Sequence, residues 1–114
     1  MKKLSSSLIL FLVIVFLASC SKDVVNQGFP PGSSADKGAK AMAQNDFVGA
    51  EKHFVRALEM EPQNYDVLNY LSYVQLKQSK LKALSKTIVS LKKHHPGRSA
   101  GEYYEYRLIR LKNK

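Results

Sequence analysis

Side chains that could carry covalent, metal or acid–base chemistry are few in this chain of 114 residues. Cys20 is its only cysteine, which excludes an intrachain disulfide and a cysteine-rich zinc site. His94 and His95 are adjacent, and neighbours on a helix point about 100° apart, so the pair is a poor metal chelate. His53 has no convincing Ser or Asp partner. We therefore expect no enzyme activity, no metal and no cofactor.

The residues before Cys20 indicate an export signal. Lys2 and Lys3 are followed by eleven residues without a polar side chain, 8–18. A transmembrane helix needs about 20 apolar residues, so this run is too short to span a membrane and fits the apolar region of a signal peptide. We expect residues 1–19 to be that signal peptide.

The end of the apolar run, Leu17-Ala18-Ser19-Cys20, resembles the lipobox of bacterial lipoproteins. The resemblance implies that the Cys20 thiol is alkylated with diacylglycerol, that the chain is cut before Cys20 and that the new amino terminus is acylated. The residue after Cys20 is Ser21 and not Asp. Under the sorting rule of enteric bacteria, this indicates attachment to the outer membrane, with the protein facing the periplasm. We thus expect a lipid-anchored protein of the bacterial cell envelope. The alternative is an ordinary signal peptide with an incidental cysteine.

Two further segments are predicted after the signal peptide. Residues 20–34 are predicted to be a flexible tether, because Gly, Pro, Ser and Asn are frequent there and show no helical period. Residues 35–114 are predicted to be the folded part. A chain of about eighty residues buries only a modest core, which favours local contacts such as helical hairpins.

The folded part contains an internal repeat with a period of 34. Five pairs at that separation are apolar at both positions or identical: Phe47/Leu81, Ala50/Leu84, Phe54/Ile88, Ala57/Leu91 and Pro62/Pro96. The period and pattern resemble the tetratricopeptide repeat (TPR), which the first copy matches at Gly38, Ala50, Phe54, Ala57 and Pro62. The second copy is weaker. The resemblance implies an all-α fold, a short TPR-like array of two helical hairpins with a C-terminal capping helix.

Apolar residues at helical spacing predict the same helices without the resemblance. The predicted helices are residues 47–60, a helix that follows Asn64, residues 80–94 and residues 100–111. Three of their starts are predicted from capping residues: Asp46, Ser79 and the Ser99-x-x-Glu102 capping box. The buried stripe of the last helix is predicted to be Tyr104, Leu108 and Leu111.

In TPR proteins the first helix of each repeat lines a concave groove. Carried over to this chain, the groove positions of the second repeat are Asp66, Asn69, Tyr73, Leu76 and Lys77. The corresponding residues of the first repeat are mostly small: Ala35, Ala39, Met42 and Ala43. The resemblance therefore implies that a partner binds mainly through the second repeat.

Positive charge is concentrated in the second half of the chain. Residues 65–114 contain eleven Lys/Arg and three Asp/Glu, a net +8. Lys82, Lys86 and Lys93 fall on one helix face, which fits either an ordinary solvated face or a patch for an anionic partner. Tyr103 and Tyr106 are close in sequence to Arg107 and Arg110. Exposed Tyr beside Arg is a combination that is common in protein interfaces. Nucleic acid is disfavoured because the chain is exported.

Together these features predict a membrane-anchored, non-catalytic TPR lipoprotein. We expect it to act as an adaptor that binds another envelope protein or peptide during assembly of a pilus, secretion or outer-membrane complex. The alternative is an envelope protein whose basic half binds anionic lipid or glycan. Two repeats are fewer than the roughly three that a stable solenoid needs, so self-association or partner docking would complete the fold.

The lipid anchor gives a direct prediction. Cys20→Ser should abolish lipidation and leave uncleaved precursor, because a serine hydroxyl is not alkylated by the thiol chemistry. Metabolic labelling with a fatty acid, followed by electrophoresis, measures both effects, with Ser21→Ala as the matched control. Labelling of Cys20→Ser at the wild-type level would contradict the lipobox assignment.

Overall fold

Residues 28–114, which the computed structural model describes, fold into five α-helices and contain no strand. The helices are α1 (Ser34–Ala43), α2 (Phe47–Met60), α3 (Tyr65–Lys77), α4 (Leu81–His94) and α5 (Ala100–Lys112). They comprise 74% of the described residues, so the predicted all-α fold is confirmed. The predicted signal peptide, Cys20 and residues 21–27 of the predicted tether lie outside the described residues.

The helices form an array of hairpins. Each helix packs on the next one in the chain, and α3 also contacts α1 and α5. Short connections join antiparallel neighbours, so α1–α2 and α3–α4 are the two hairpins and α5 follows as a single helix.

The 34-residue period of the sequence is also a period of the backbone. Helices α2 and α4 each have 14 residues, and they begin 34 residues apart. The turns before them match as well. Asn45 (φ 60°) and Ser79 (φ 55°) both have left-handed backbone. The next N–H donates to a carbonyl five residues earlier in both turns, from Asp46 to Ala41 and from Lys80 to Gln75, each at 2.9 Å.

The predicted N-cap of α4 is wrong. Ser79 occupies the left-handed position that closes the α3 turn, so its side chain is not placed to cap the next helix. Lys80 is the N-cap and makes no side-chain capping bond. At the equivalent place in the first hairpin, the predicted N-cap is confirmed: the Asp46 carboxylate accepts from the Gly49 N–H at 3.0 Å.

Two predictions for α5 are also wrong. The Ser99–Glu102 capping box does not form, because Ser99 has helical backbone, whereas a side chain that caps needs a non-helical one. Tyr104 and Leu108 are buried as predicted, but Leu111 is 36% exposed because the core ends at Leu108.

The buried residues form two clusters that meet at α3. The first cluster comprises Ala35, Ala50, Phe54, Val67, Leu71 and Val74. The second cluster comprises Leu68, Leu84, Ile88, Leu91, Ala100, Tyr104 and Leu108. Leu58 and Tyr73 are half-buried and pack against both clusters, which joins the two into one continuous interior.

The packed part of the chain begins before α1. Phe29 is half-buried against the first cluster, within residues that were predicted to belong to the tether. The Ser33 hydroxyl accepts from the Asp36 N–H at 3.1 Å, and the Asp36 carboxylate accepts from the Gly32 N–H at 3.0 Å. The Gly32 N–H and the nearby Lys40 ammonium lower the pKa of Asp36. This reciprocal capping fixes the start of α1 one residue before the predicted boundary at residue 35.

Gly38 provides a test of how closely α1 and α2 approach each other. A Cβ at this position would lie 2.7 Å from the ring of Phe54, which is fully buried and cannot move aside freely. Gly→Ala in a helix normally stabilises by about 0.5–1 kcal/mol. Here we expect Gly38→Ala to lower the free energy of unfolding by about 1–3 kcal/mol, because the added methyl overpacks the interior.

Urea denaturation measures this change. Gly97→Ala is the matched control, since a Cβ there meets nothing within 4 Å. A stabilised Gly38→Ala variant would show that the helices do not approach each other as closely as the structure indicates.

Candidate binding groove

The first helices of the hairpins, together with α5, border a groove of about 470 Å³. We name it the tyrosine groove and define it by its lining residues: Met42, Ala43, Asn45, Asn69, Tyr70, Tyr73 and Tyr104. These residues come from α1 and the turn after it, from α3 and from α5. The groove therefore crosses three helices that are separate in sequence, and it exists only when the array is assembled.

Two of the groove tyrosines are held in place by core aromatic rings. Tyr70 stacks on Phe54 with 6.0 Å between ring centroids, and it also makes an edge-to-face contact with Phe29 at 5.8 Å. Tyr73 packs edge-to-face on Phe47 at 6.1 Å. Rings that are ordered before binding lose little conformational freedom when a partner docks, so they are suited to recognition.

Polar groups of α3 lie beside these rings. Asn69 is half-buried, and its side-chain amide makes no hydrogen bond with any described residue. It offers both a donor and an acceptor to a ligand. The Lys77 ammonium lies 5.6 Å from the centroid of the Tyr73 ring, which places a positive charge beside the groove. The arrangement suits a ligand that combines apolar or aromatic side chains with a hydrogen-bonding group and negative charge.

The five groove residues predicted from sequence have different positions in the structure. Asn69 and Tyr73 line the tyrosine groove, and Lys77 reaches it over Tyr73. Asp66 is exposed in the first turn of α3 and does not line the groove. Leu76 packs against the second cluster, because the same helix must also bury a stripe against α4 and α5.

Sequence reasoning missed the roles of Tyr70 and Tyr104. Tyr70 lies one turn before Tyr73 on α3, so its spacing could have identified it as a neighbour on the same side. Tyr104 was assigned to the buried stripe of the last helix. It is buried, and it also borders the groove. Only the packing of α5 on α3 brings it there.

The predicted basic residues lie on the outside of α4. Lys82, Lys86 and Lys93 are all exposed, and none forms a salt bridge with another described residue. We name these three lysines the basic stripe. Val89 is 64% exposed and shares their face at helical spacing. The stripe is therefore an exposed row of cations that no described carboxylate pairs with, and one apolar residue lies beside it.

A second depression, of about 480 Å³, lies on the outer side of α2. It is lined mainly by charged side chains of that one helix, with Lys80 from the α3–α4 turn. Glu51 in this depression already accepts from the Lys80 ammonium and from the Gln78 amide. The Glu51–Lys80 ion pair thus joins the α3–α4 turn to α2.

The adjacent histidines are explained in part by packing. The His95 Nε2 contacts the Gln63 carbonyl oxygen, and its ring meets the edge of Tyr65 at 5.2 Å. The Arg98 guanidinium lies 3.8 Å from the centroid of the Tyr65 ring. These contacts join the turn after α2 to the turn after α4. Within residues 28–114, no three His, Asp or Glu side chains are grouped as a metal site requires.

Comparison with family models, with curated proteins and with solved structures returns no match to this chain. Among the helices of residues 28–114, none has the length and hydrophobicity that a membrane span requires.

Tyr104 gives a pH-dependent prediction. Burial, and to a smaller extent the neighbouring Tyr103, raises the pKa of Tyr104 from 10.0 to about 12. The folded state therefore favours the neutral phenol. The contribution of neutral Tyr104 to the free energy of unfolding is complete below pH 10, where the unfolded chain also keeps this proton. It is lost as the pH rises through 12.

We expect Tyr104→Phe to flatten the fall in stability between pH 10 and pH 12 relative to the wild type, because phenylalanine has no proton to lose. Urea denaturation at several pH values measures the slope. Tyr106→Phe is the matched control, since Tyr106 is exposed on the same helix. Equal slopes for wild type and Tyr104→Phe would contradict a raised pKa.

Proposed function

We propose that the protein is a non-catalytic bacterial lipoprotein of the TPR type that binds a segment of another envelope protein in the tyrosine groove. It would act as an adaptor in assembling an envelope complex, such as a pilus, secretion or outer-membrane machine. The observation that carries this proposal is the groove itself. It has ordered aromatic rings, one available amide and an adjacent lysine, and three helices contribute to it.

Two features support the TPR part of the proposal. The turn geometry and the bounds of α2 and α4 repeat at 34 residues, which is the period of that family. Gly38 and Phe54, which match the family pattern, are in direct contact between α1 and α2. The packing of α1 against α2 thus explains why a small residue stands at Gly38 and a ring at Phe54.

The lipid anchor is supported by the motif that ends at Cys20, and it would place the groove close to the membrane. Seven residues, 21–27, separate the anchor from the first described residue. At about 3.3–3.6 Å per residue they span at most roughly 25 Å. A partner would therefore be a protein of the same membrane surface or a segment that reaches it from the periplasm.

The charge of the second half defines the partner further. Residues 65–114 carry a net +8, and Lys77 lies beside the groove. An acidic segment with aromatic or apolar side chains complements these features, since opposite charges speed the encounter and the rings supply contact area.

Asn69 allows the groove to be tested. Asn69→Ala should weaken capture of the partner by about 2–13-fold, which corresponds to the loss of one hydrogen bond of about 0.5–1.5 kcal/mol. The measurement is quantitative recovery of a stoichiometric partner from solubilised membranes. Asn113→Ala is the matched control, because Asn113 lies at the end of α5 and outside the groove.

The result that would contradict the groove proposal is a partner that binds Asn69→Ala and wild type equally while both variants remain folded. Circular dichroism establishes that the fold is kept. A partner lost equally from Asn69→Ala and Asn113→Ala would also contradict it, because the effect would not be specific to the groove.

The second candidate is binding of anionic lipid headgroups or glycan through the basic stripe. The observation in its favour is that Lys82, Lys86 and Lys93 are exposed and unpaired among the described residues. Changing all three to Glu should then abolish binding to vesicles that contain anionic lipid, and added salt should have the same effect.

A matched variant separates the position of the charge from its amount. Lys37, Lys52 and Arg56 are also exposed, so reversing these three changes the net charge equally without touching α4. If both triple variants lose vesicle binding alike, net charge rather than the basic stripe is responsible, and this second function is refuted.

A further inference from the structure

The side of α5 that carries Tyr103 and Arg107 faces away from α4. Glu105 lies about 100° to one side of Tyr104, and its carboxylate accepts from the Lys92 ammonium of α4 at 2.8 Å. Arg107 lies about 60° and Tyr103 about 100° to the other side of Tyr104. Because Tyr104 itself borders the tyrosine groove, these two residues extend the wall that α5 gives to the groove.

Helix α5 repeats the arrangement of α3 at a separation of 34 residues. Tyr70 and Tyr104 are separated by that number, and both line the tyrosine groove. The other two α3 residues that line the groove also have counterparts on α5 at the same separation. These pairs are Asn69/Tyr103 and Tyr73/Arg107. Both counterparts therefore lie where the groove continues across α5.

Arg107 is exposed, and Tyr103 holds its side chain in place. The guanidinium donates to the Tyr103 hydroxyl at 2.8 Å and lies 5.8 Å from the centroid of that ring. The Tyr103 ring packs edge-to-face on Tyr104, with 5.0 Å between the centroids. Burial raises the pKa of Tyr104, and the charge of Arg107 acts in the opposite direction, which agrees with a guanidinium close to the groove. The Tyr103 bond uses only part of its fork of N–H donors, so the others are available to a ligand.

Two positive charges flank this part of the groove. Lys77 lies beside it on α3, and Arg107 lies on α5. Neither forms a salt bridge with another residue of the part that the structure describes. Residues 69–77 contain no Asp or Glu, and Glu105 of α5 is turned toward Lys92. A carboxylate that complements the two cations must therefore come from the ligand.

We propose that Arg107, held by Tyr103, forms an acidic-residue subsite of the tyrosine groove and binds the side-chain carboxylate of an Asp or Glu in the partner segment, with Lys77 as the second positive charge. A planar guanidinium binds a carboxylate through two parallel N–H bonds. Asp66 lies about 10 Å from Tyr73 along α3, so the opposite end of the groove repels an acidic side chain. The inference rests on the proposed function, because it assigns one contact of the segment that the groove binds.

A peptide mixture tests the subsite without the natural partner. The probe is a set of decapeptides of random sequence, acetylated and amidated so that every carboxylate is a side chain. The intact protein in a mild detergent is incubated with the mixture, and the residues enriched in the bound peptides are measured by mass spectrometry. We expect Asp and Glu to be enriched by about threefold or more, together with aromatic or aliphatic residues.

Reversal of one charge identifies the residue responsible. Arg107→Glu should abolish the enrichment of Asp and Glu and leave that of apolar residues unchanged, whereas an unfolded variant would lose both. Arg107→Lys should keep a weaker acidic preference, because an ammonium binds a carboxylate only as a point charge. Lys112→Glu is the matched control: it makes the same change of charge, about 80° around α5 on the α4 side of Tyr104, and should select peptides as the wild type does.

The subsite is refuted if Arg107→Glu selects acidic peptides as the wild type does, or if the wild type enriches apolar but not acidic residues. Equal loss of the acidic preference in Lys112→Glu also refutes it, because net charge would then be responsible. Asn69→Ala separates this inference from the proposed function. If Asn69→Ala alters the bound peptides and Arg107→Glu does not, the groove binds a segment but the subsite is wrong. If the wild type binds no peptide, both proposals are contradicted.

Discussion

The contact between the Phe54 ring and Gly38 is the constraint on which the other helices depend. Since Gly38 has no Cβ, α1 comes close enough to α2 for the ring to be fully buried. Tyr70 of α3 then stacks on that ring. The same device recurs at the other end of the array, where a Cβ on Gly101 of α5 would lie 2.8 Å from the Lys92 side chain of α4. Close approach at two glycines thus sets the helix spacing at both ends.

Between these ends, α3 must satisfy neighbours on two sides, and this requirement creates the groove. The helix buries Val67, Leu71 and Val74 toward the first cluster and Leu68 toward the second cluster. It also buries Gln75, whose amide oxygen accepts from the Thr87 hydroxyl of α4 at 2.7 Å. A buried polar pair is stable only when both groups are bonded, so it fixes the register of α3 against α4. The remaining side of α3 carries the groove residues.

The helices and most of their buried residues could be predicted from the sequence, whereas two of the helix caps and part of the groove could not. Apolar periodicity is a property of one helix, so it correctly predicts that Tyr104 and Leu108 are buried. Capping depends on backbone angles that residue type does not determine. The capping bonds predicted at Ser79 and Ser99 are therefore wrong. The roles of Tyr70 and Tyr104 in the groove depend on how separate helices pack, which spacing within one helix does not encode.

The two ends of the array differ in how they are closed. At the start of the described residues, Phe29 lies against the first cluster and hydrogen bonds close the first turn of α1. At the other end, Tyr106 and Ile109 remain exposed beside charges of both signs. Apolar side chains are also exposed elsewhere in the array, since Met60 is 85% and Val89 is 64% exposed. The first end is thus closed by its own residues, whereas the second end exposes single apolar side chains among charges, which protein surfaces commonly do.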